Sequence, residues 1–431
     1  MNSLDEIAAA LQGYDPRALS AEMVGRFLND MVEPATRTQE VGIFDALGRV
    51  LAHDVISPLS VPPHDNSAMD GYAFRGAELK AQHNLQLRSV ATVMAGKAWH
   101  GTVGPGQCVR IMTGAIMPEG LDTVAPQELC NVNDEQVTIP KGVLRAGDNR
   151  RLMGEDLMQG QPALLRGQIL GPAELGLLAS LGLASVSVYQ RLKVAYFSTG
   201  DEILSLGQAP REGAVYDSNR YTVFGLLQRL GCEVIDMGVV PDQPLQLEKA
   251  FMTAAATADA IITSGGVSVG EADHTKAMMK KLGDVAFWRI AMRPGRPMAV
   301  GRLDRARLPT PGKGHAILFG LPGNPVAVMV TFLAFVRPAL LRMMGAHAEP
   351  LPLLQAHSTD KLRKKPGRTE YQRGRVQKSA DGTLQVSAIG NQGSGVLSSM
   401  VQANGLIVLH HGQGDIHPGE VVDVMMFDGL I

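Results

Sequence analysis

Three glycine-bearing polar segments hold most of the residues that could do chemistry in this chain. FSTGDE (197–202), ITSGGVSVGEAD (262–273) and FGLPGNPV (319–326) each lie at the end of an apolar run. Glycine lets backbone N–H groups approach an anion, and a helix N-terminus behind the loop adds favourable partial charge. A phosphate or similar oxyanion is the natural guest. None of the three matches the GxGxxG or Walker pattern, which argues against a nicotinamide cofactor or a P-loop ATPase. Carboxylates gather on the loops of the same region: Asp201, Glu202, Asp217, Asp242, Glu271 and Asp273. Acids beside phosphate-type loops suit Mg²⁺, which takes a few carboxylates plus phosphate oxygens, or a proton-transfer role. Asp242 and Asp273 also precede expected helices, so N-capping competes as an explanation. Basic residues cluster as well: Lys276, Arg293 and Arg296 of MRPGRP, then the run KLRKKPGRTEYQRGR. They read either as a solvated face or as positive loops turned towards an anion.

A fourth stretch, VPPHDNSAMDGYAFR (61–75), is ambiguous. Asp65, Asn66 and Ser67 suit hydrogen bonding to their own loop backbone, and Met69, Tyr72 and Phe74 read as anchors. Asp70 is the acid left over.

The elements that must position these residues are clearest over 191–345. RLKVAYF, CEVIDMGVV, DAIITSGG, VAFWRIAM and HAILFGLPG read as strands. SNRYTVFGLLQRLG, LQLEKAFMTAAATA, HTKAMMKKLG and a long segment from Pro325 read as helices. That alternation predicts right-handed crossovers and a doubly wound, mostly parallel sheet. The loops at its carboxyl edge, where ligands bind, are the glycine-bearing segments. Segment 18–32 predicts a helix with Ser20 as N-cap, and AELGLLASLG a short one. Residues of about 60 to 146 are turn-dense and β-rich, as is the chain after about 348, where Asp381-Gly382 marks a hairpin.

With 431 residues, roughly three or four domains are expected. A formal net charge of −2 gives no footprint for nucleic acid. Cys108, Cys130 and Cys232 lack pair spacing, which excludes a disulfide framework or a zinc knuckle and suits a reducing compartment. The acidic N-terminus does not resemble a signal peptide. The longest apolar run, PVAVMVTFLAFVRPALL, is interrupted by Arg337 and Pro338, and no membrane span is expected. A cytoplasmic location follows.

DNSAMDGYA, RIMTGA, NRRLMGED, STGDE, YDSNR, TSGGVSVGEADHTK, MRPGRP, GLPGNPV, PGRTEYQRG and QGSG occur in that order. Together they resemble the motifs of the MoeA family of molybdopterin molybdenumtransferases, which includes the gephyrin E domain. The resemblance implies a multidomain α/β plus β protein. A discontinuous, mainly helical N-terminal linker domain (1–58 and 147–190) would carry a β-rich insertion (59–146). An α/β domain of molybdopterin-binding type (191–346) and a C-terminal β-barrel-like domain (347–431) would follow.

It also implies an activity: insertion of molybdate into the dithiolene of adenylylated molybdopterin with release of AMP, assisted by Mg²⁺. The rival readings are a molybdopterin adenylyltransferase and a non-enzymatic scaffold. Carried over residue by residue, the family's site falls on Asp70, Thr113, Glu202, Asp242, Asp273, Pro322 and Pro325. Glu202, Asp242 and Asp273 would hold the metal. Ser264, Gly265, Gly266 and Asn324 would meet the pterin substrate, and Lys276, Arg293 and Arg296 an anion. Arg368, Arg373 and Ser394 resemble positions that reach molybdate from the last domain. Asp70 would serve a partner subunit in a homodimer, and a transient contact with the adenylylating enzyme is expected.

Overall fold

The computed structural model describes residues 3–266, 274–347 and 350–431. Its centre is a six-stranded sheet. Strands β1 (Lys193–Thr199), β2 (Glu233–Val240), β3 (Ala260–Ser264), β4 (Gly283–Arg289), β5 (Pro297–Asp304) and β6 (His315–Leu321) stand in the order β2-β1-β3-β6-β5-β4. The first four in that order run parallel, whereas β5 and β4 close one side as an antiparallel pair. Four helices belong to this unit: α1 (Ser218–Arg229), α2 (Pro244–Thr257), α3 (His274–Leu282) and the composite α4 (Pro325–Met343).

Alternation along β1 shows why helices cover both faces. Val194 and Tyr196 join a core with Val223, Leu226, Val326 and Phe332 from α1 and α4. Ala195 and Phe197, pointing the opposite way, join Leu247, Phe251 and Met279 from α2 and α3. Phe197 and Phe251 meet edge to face at 5.1 Å. Burying each such ring contributes about 1.5–3 kcal/mol.

Two readings of the sequence need correcting here. Strand β5 was not foreseen, because Pro297 at its start and Gly301 inside it blur the strand pattern. The apolar run from Pro325 forms a continuous 19-residue helix, long and apolar enough by composition alone to cross a bilayer, but 78% buried inside the protein. One widened turn, Phe332–Val336, absorbs Pro338, whose ring would crowd the carbonyl four residues back.

Around this unit lie three other structural regions. The helix Ala21–Met31 is capped by Ser20 and packs Phe27, Leu28 and Met31 onto the α1/α4 face of the sheet. The N-terminal region contains two strand pairs besides its helices, Thr38–Gly42 with Ser185–Tyr189 and Val55–Ile56 with Pro162–Leu164. A six-stranded mixed sheet forms between Gly71 and Ile139. In the last region, Leu354–Ser358, Thr369–Lys378, Leu384–Ala388, Gly405–Leu409 and Val421–Met426 pair in a ring and close a five-stranded barrel. Gly382, in the foreseen hairpin, has φ +90°.

Candidate active site

At the carboxyl edge of the sheet, β1 ends into Gly200–Glu202 and β3 into Gly265–Gly266. Gly265 has φ +90°, and a Cβ there would lie 2.3 Å from the carbonyl oxygen of Thr199. Only glycine fits this approach. Ser264 turns inward: 3% exposed, its hydroxyl lies 2.6 Å from Tyr196 Oη and 3.2 Å from Ser198 Oγ. The part of TSGG left at the sheet edge is therefore the glycine pair. Burial pushes the Tyr196 phenol well above its ordinary range, so it stays protonated and serves this internal triad.

The carboxylates divide by role. Asp217 caps α1, accepting from the Arg220 amide at 3.1 Å, while its second oxygen is buried without a partner among the described residues. Asp242 is not a cap. Gln243 occupies the N-cap position of α2 without a side-chain bond, and Asp242 Oδ1 accepts from Thr275 Oγ1 at 3.4 Å. Glu202 is exposed on the β1 loop. Glu202 and Asp242 follow the neighbouring parallel strands β1 and β2. Asp273 and Glu271 lie outside the described residues. Lys276 sits in the first turn of α3, half-buried.

The loop at 61–75 is organised by its own polar side chains. Asp65 Oδ1 accepts from the Met153 amide at 2.8 Å and faces Arg150 at 3.5 Å, while Ser67 donates to the Met69 carbonyl at 2.5 Å. Tyr72 and Phe74 are buried as anchors, but Met69 is 42% exposed and anchors nothing. Its side chain leaves the loop on the solvent side just before Gly71, where a Cβ would sit 1.9 Å from the Ala125 carbonyl oxygen. That contact fixes the backbone at Asp70. Asp70 Oδ1 accepts from both the amide and the hydroxyl of Thr113, each at 2.7 Å. The Thr113 hydroxyl first, then its amide, hold the Asp70 carboxyl below its ordinary range.

A second centre forms between the sheet and the barrel. A cavity of about 630 Å³ is lined by Arg293, Arg296, Pro322, Asn324, Arg368 and Ser394, with no carboxylate among its described lining residues. The short strand Met292–Arg293 pairs with Thr369–Glu370 of the barrel, which delivers Arg293 to the junction. Pro325 opens α4. Ser394 meets that helix directly: its carbonyl accepts from the Val326 amide at 3.1 Å and its hydroxyl from Asn324 Nδ2 at 3.0 Å. Arg373 is not in this lining. It is 1% exposed and donates to Ser399 Oγ at 3.0 Å and to the carbonyls of Asn391 and Gly393. Burial, then the charge of Arg293, pulls its pKa down to about 10, so it remains cationic at neutral pH. Its task is to hold the loop that carries Ser394.

Sequence reasoning missed Gln392, whose amide brackets the Arg373 backbone from both sides (2.9 Å each way). It also missed Glu370, which binds Arg368. Spacing gives no signal for the latter, because Arg368 lies in the bend before the strand Thr369–Lys378 and not on it.

The edge loops and the arginine cavity describe an α/β protein with a basic cavity that a barrel walls on its other side. Family models agree and are more specific. Residues 18–182 match the MoeA N-terminal region (domain I and II), 195–342 a probable molybdopterin binding domain and 355–427 the MoeA C-terminal region (domain IV). A molybdopterin molybdenumtransferase of Haemophilus influenzae is 42% identical over 92% of this chain and 95% of its own length. One from Nostoc sp. is 38% identical over 90% and 88%. A solved MoeA molybdopterin biosynthesis protein of Pyrococcus horikoshii superposes with a TM-score of 0.79 at 26% identity, covering 95% of this chain and 100% of that one. The chain belongs to the molybdopterin molybdenumtransferase family.

Proposed function

We propose that this chain inserts molybdate into the dithiolene of adenylylated molybdopterin and releases AMP, the last step in making molybdenum cofactor. The observation that carries the reading is the cavity in which Arg293, Arg296 and Arg368 converge with no carboxylate among its described lining residues. Guanidinium N–H groups match the oxygens of a tetrahedral dianion in charge and in geometry. Asn324 and Ser394 supply neutral donors beside them. The dithiolene belongs to the substrate, so no protein thiol is required. Burial raises the Cys108 and Cys232 thiols to about 12, so neither is a ready nucleophile.

The glycine pair Gly265–Gly266 would receive the pterin phosphate region through backbone N–H groups, with Lys276 and α3 behind it. Glu202 and Asp242, with Asp273, would hold Mg²⁺. The described residues contain no group of three or more metal-type side chains. Two carboxylates on adjacent strand ends still fit an ion that takes one or two from protein and the rest from substrate oxygens. Such an ion would neutralise charge on the departing AMP. Pro322 and Pro325 fix the loop between the two centres, and Arg373 keeps the Ser394 loop closed over α4.

Asp70 and Thr113 would complete the site of a partner subunit in a homodimer. Among the described residues the Asp70 side chain bonds only to Thr113, on its own sheet, which leaves its second oxygen for such a role. Domain borders at 58/59, 146/147, 190/191 and 346/347, a cytoplasmic location and a transient contact with the adenylylating enzyme belong to the same reading. The purified chain, given adenylylated molybdopterin and Mg²⁺, should release AMP faster when molybdate is added. Release indifferent to molybdate would sink the transferase, and ATP-dependent formation of the adenylylated pterin would favour the adenylyltransferase instead.

A further inference from the structure

We propose that Glu370 is a positioning residue for oxyanion capture, holding the Arg368 guanidinium by one edge so that its remaining N–H groups face the cavity. The inference rests on the reading of that cavity as the molybdate site. Glu370 is 2% exposed. Its Oε1 accepts from Arg368 Nε at 2.7 Å and lies 2.7 Å from Nη2 of the same side chain. Its Oε2 accepts from Gln372 Nε2 at 3.3 Å, and that amide nitrogen also donates to the Arg363 carbonyl at 3.2 Å. The Glu370 backbone is clamped as well, paired with Arg293 on one side and Leu409 on the other.

Arginine carries five N–H groups. The Nε–H donates to Glu370, and Nη2 lies beside the same oxygen. Nη1 makes no hydrogen bond among the described residues, and the Arg368 side chain, 22% exposed, lines the cavity. Without Glu370, a long side chain with many rotamers would have to be ordered each time an anion arrives. A buried carboxylate two residues further along the chain, on the strand that follows Arg368, removes that cost in advance.

Charge alone predicts the opposite effect. Glu370 cancels part of the positive potential near the cavity, so electrostatics without positioning makes its removal tighten anion binding. A purely structural ion pair makes removal lower the melting temperature and leaves anion affinity unchanged. The sign of the affinity change therefore separates the three roles.

The experiment uses the full chain with Glu370→Ala and Glu370→Gln. It measures AMP release against molybdate concentration and, independently, molybdate binding by calorimetry. In Glu370→Ala the KM and Kd for molybdate should both rise about tenfold, the size typical of losing a residue that orients a ligand-binding side chain. The change in kcat should be smaller, and Glu370→Gln, which keeps one acceptor oxygen, should fall between. Unchanged or tighter molybdate binding in these variants overturns the proposal, whatever happens to the melting temperature. If Glu370→Ala does not fold, Glu370→Gln decides by the same criterion. If the wild type binds molybdate but releases no AMP, the transferase reading fails while the Kd comparison still decides the role of Glu370. A wild type that binds no molybdate overturns both.

Discussion

The carboxyl edge of the sheet and the arginine cavity beside it are built on opposite plans. The edge is made by consecutive residues: a strand ends, glycines follow, and acids stand at fixed offsets on the same loop. The cavity is made by distant ones, since Arg293 and Arg296 come from the sheet side and Arg368 and Ser394 from the barrel. The edge holds its loops by backbone geometry, as Gly265 against Thr199 shows. The cavity holds its long side chains by other side chains and loops, as Glu370 and Arg373 show. The proposed reading, in which a phosphorylated pterin meets a small oxyanion, would use both: a rigid cradle for the larger ligand and charged arms for the smaller.

Substitutions should separate the two halves. The largest effect is expected at the edge, where Asp242→Asn should lower AMP release about a hundredfold or more, on the scale of removing one electrostatic contact to a reacting group. The melting temperature should stay unchanged, because Asp242 does not cap α2, whose N-cap position is held by Gln243. Retained turnover would remove Asp242 from the metal set. In the cavity, Arg293→Ala should raise the KM for molybdate about tenfold to hundredfold, the worth of hydrogen bonds to a charged group. The KM for the pterin substrate should hardly change, and equal effects on both would break the division of labour.

Gly265→Ala should cost about 1–3 kcal/mol of stability, readable by denaturant unfolding, because the new Cβ meets a carbonyl at a left-handed φ. The smallest expected effect concerns Asp70. Its folded-state carboxyl lies below the ordinary 3.8, so the Thr113 bonds stabilise the fold above that value and are lost as pH falls through the lowered one. Thr113→Val removes the hydroxyl but keeps the amide, so the Asp70 titration, followed by NMR, should move up towards 3.8 without reaching it. No movement would mean that the hydroxyl contact is absent in solution.

The edge was legible in the sequence for the same reason that it is rigid. Buried strands read as apolar runs and their loops as glycine and acid, so β1, β2, β3, β4 and β6 and all four helices could be placed. Interruptions blurred the rest. Pro297 and Gly301 concealed β5, and Arg337 with Pro338 hid that α4, though placed, runs on as one 19-residue helix. In the cavity, motif position named Arg368 and Arg373 alike. Only packing shows that one lines the cavity while the other is buried under the Ser394 loop. Ser264 and Met69 carry the same lesson in reverse directions, one turned inward and the other outward. Residue type and spacing gave the candidates, but side-chain direction depends on neighbours far away in the chain.

The most direct measurement is a single-turnover experiment on the chain with bound adenylylated molybdopterin, Mg²⁺ and molybdate, in which released AMP and pterin-bound molybdenum are counted together. The account predicts that the two appear in equal amounts and with the same rate constant, because anhydride cleavage and metal insertion share one site. AMP released with no molybdenum taken up by the pterin would contradict it.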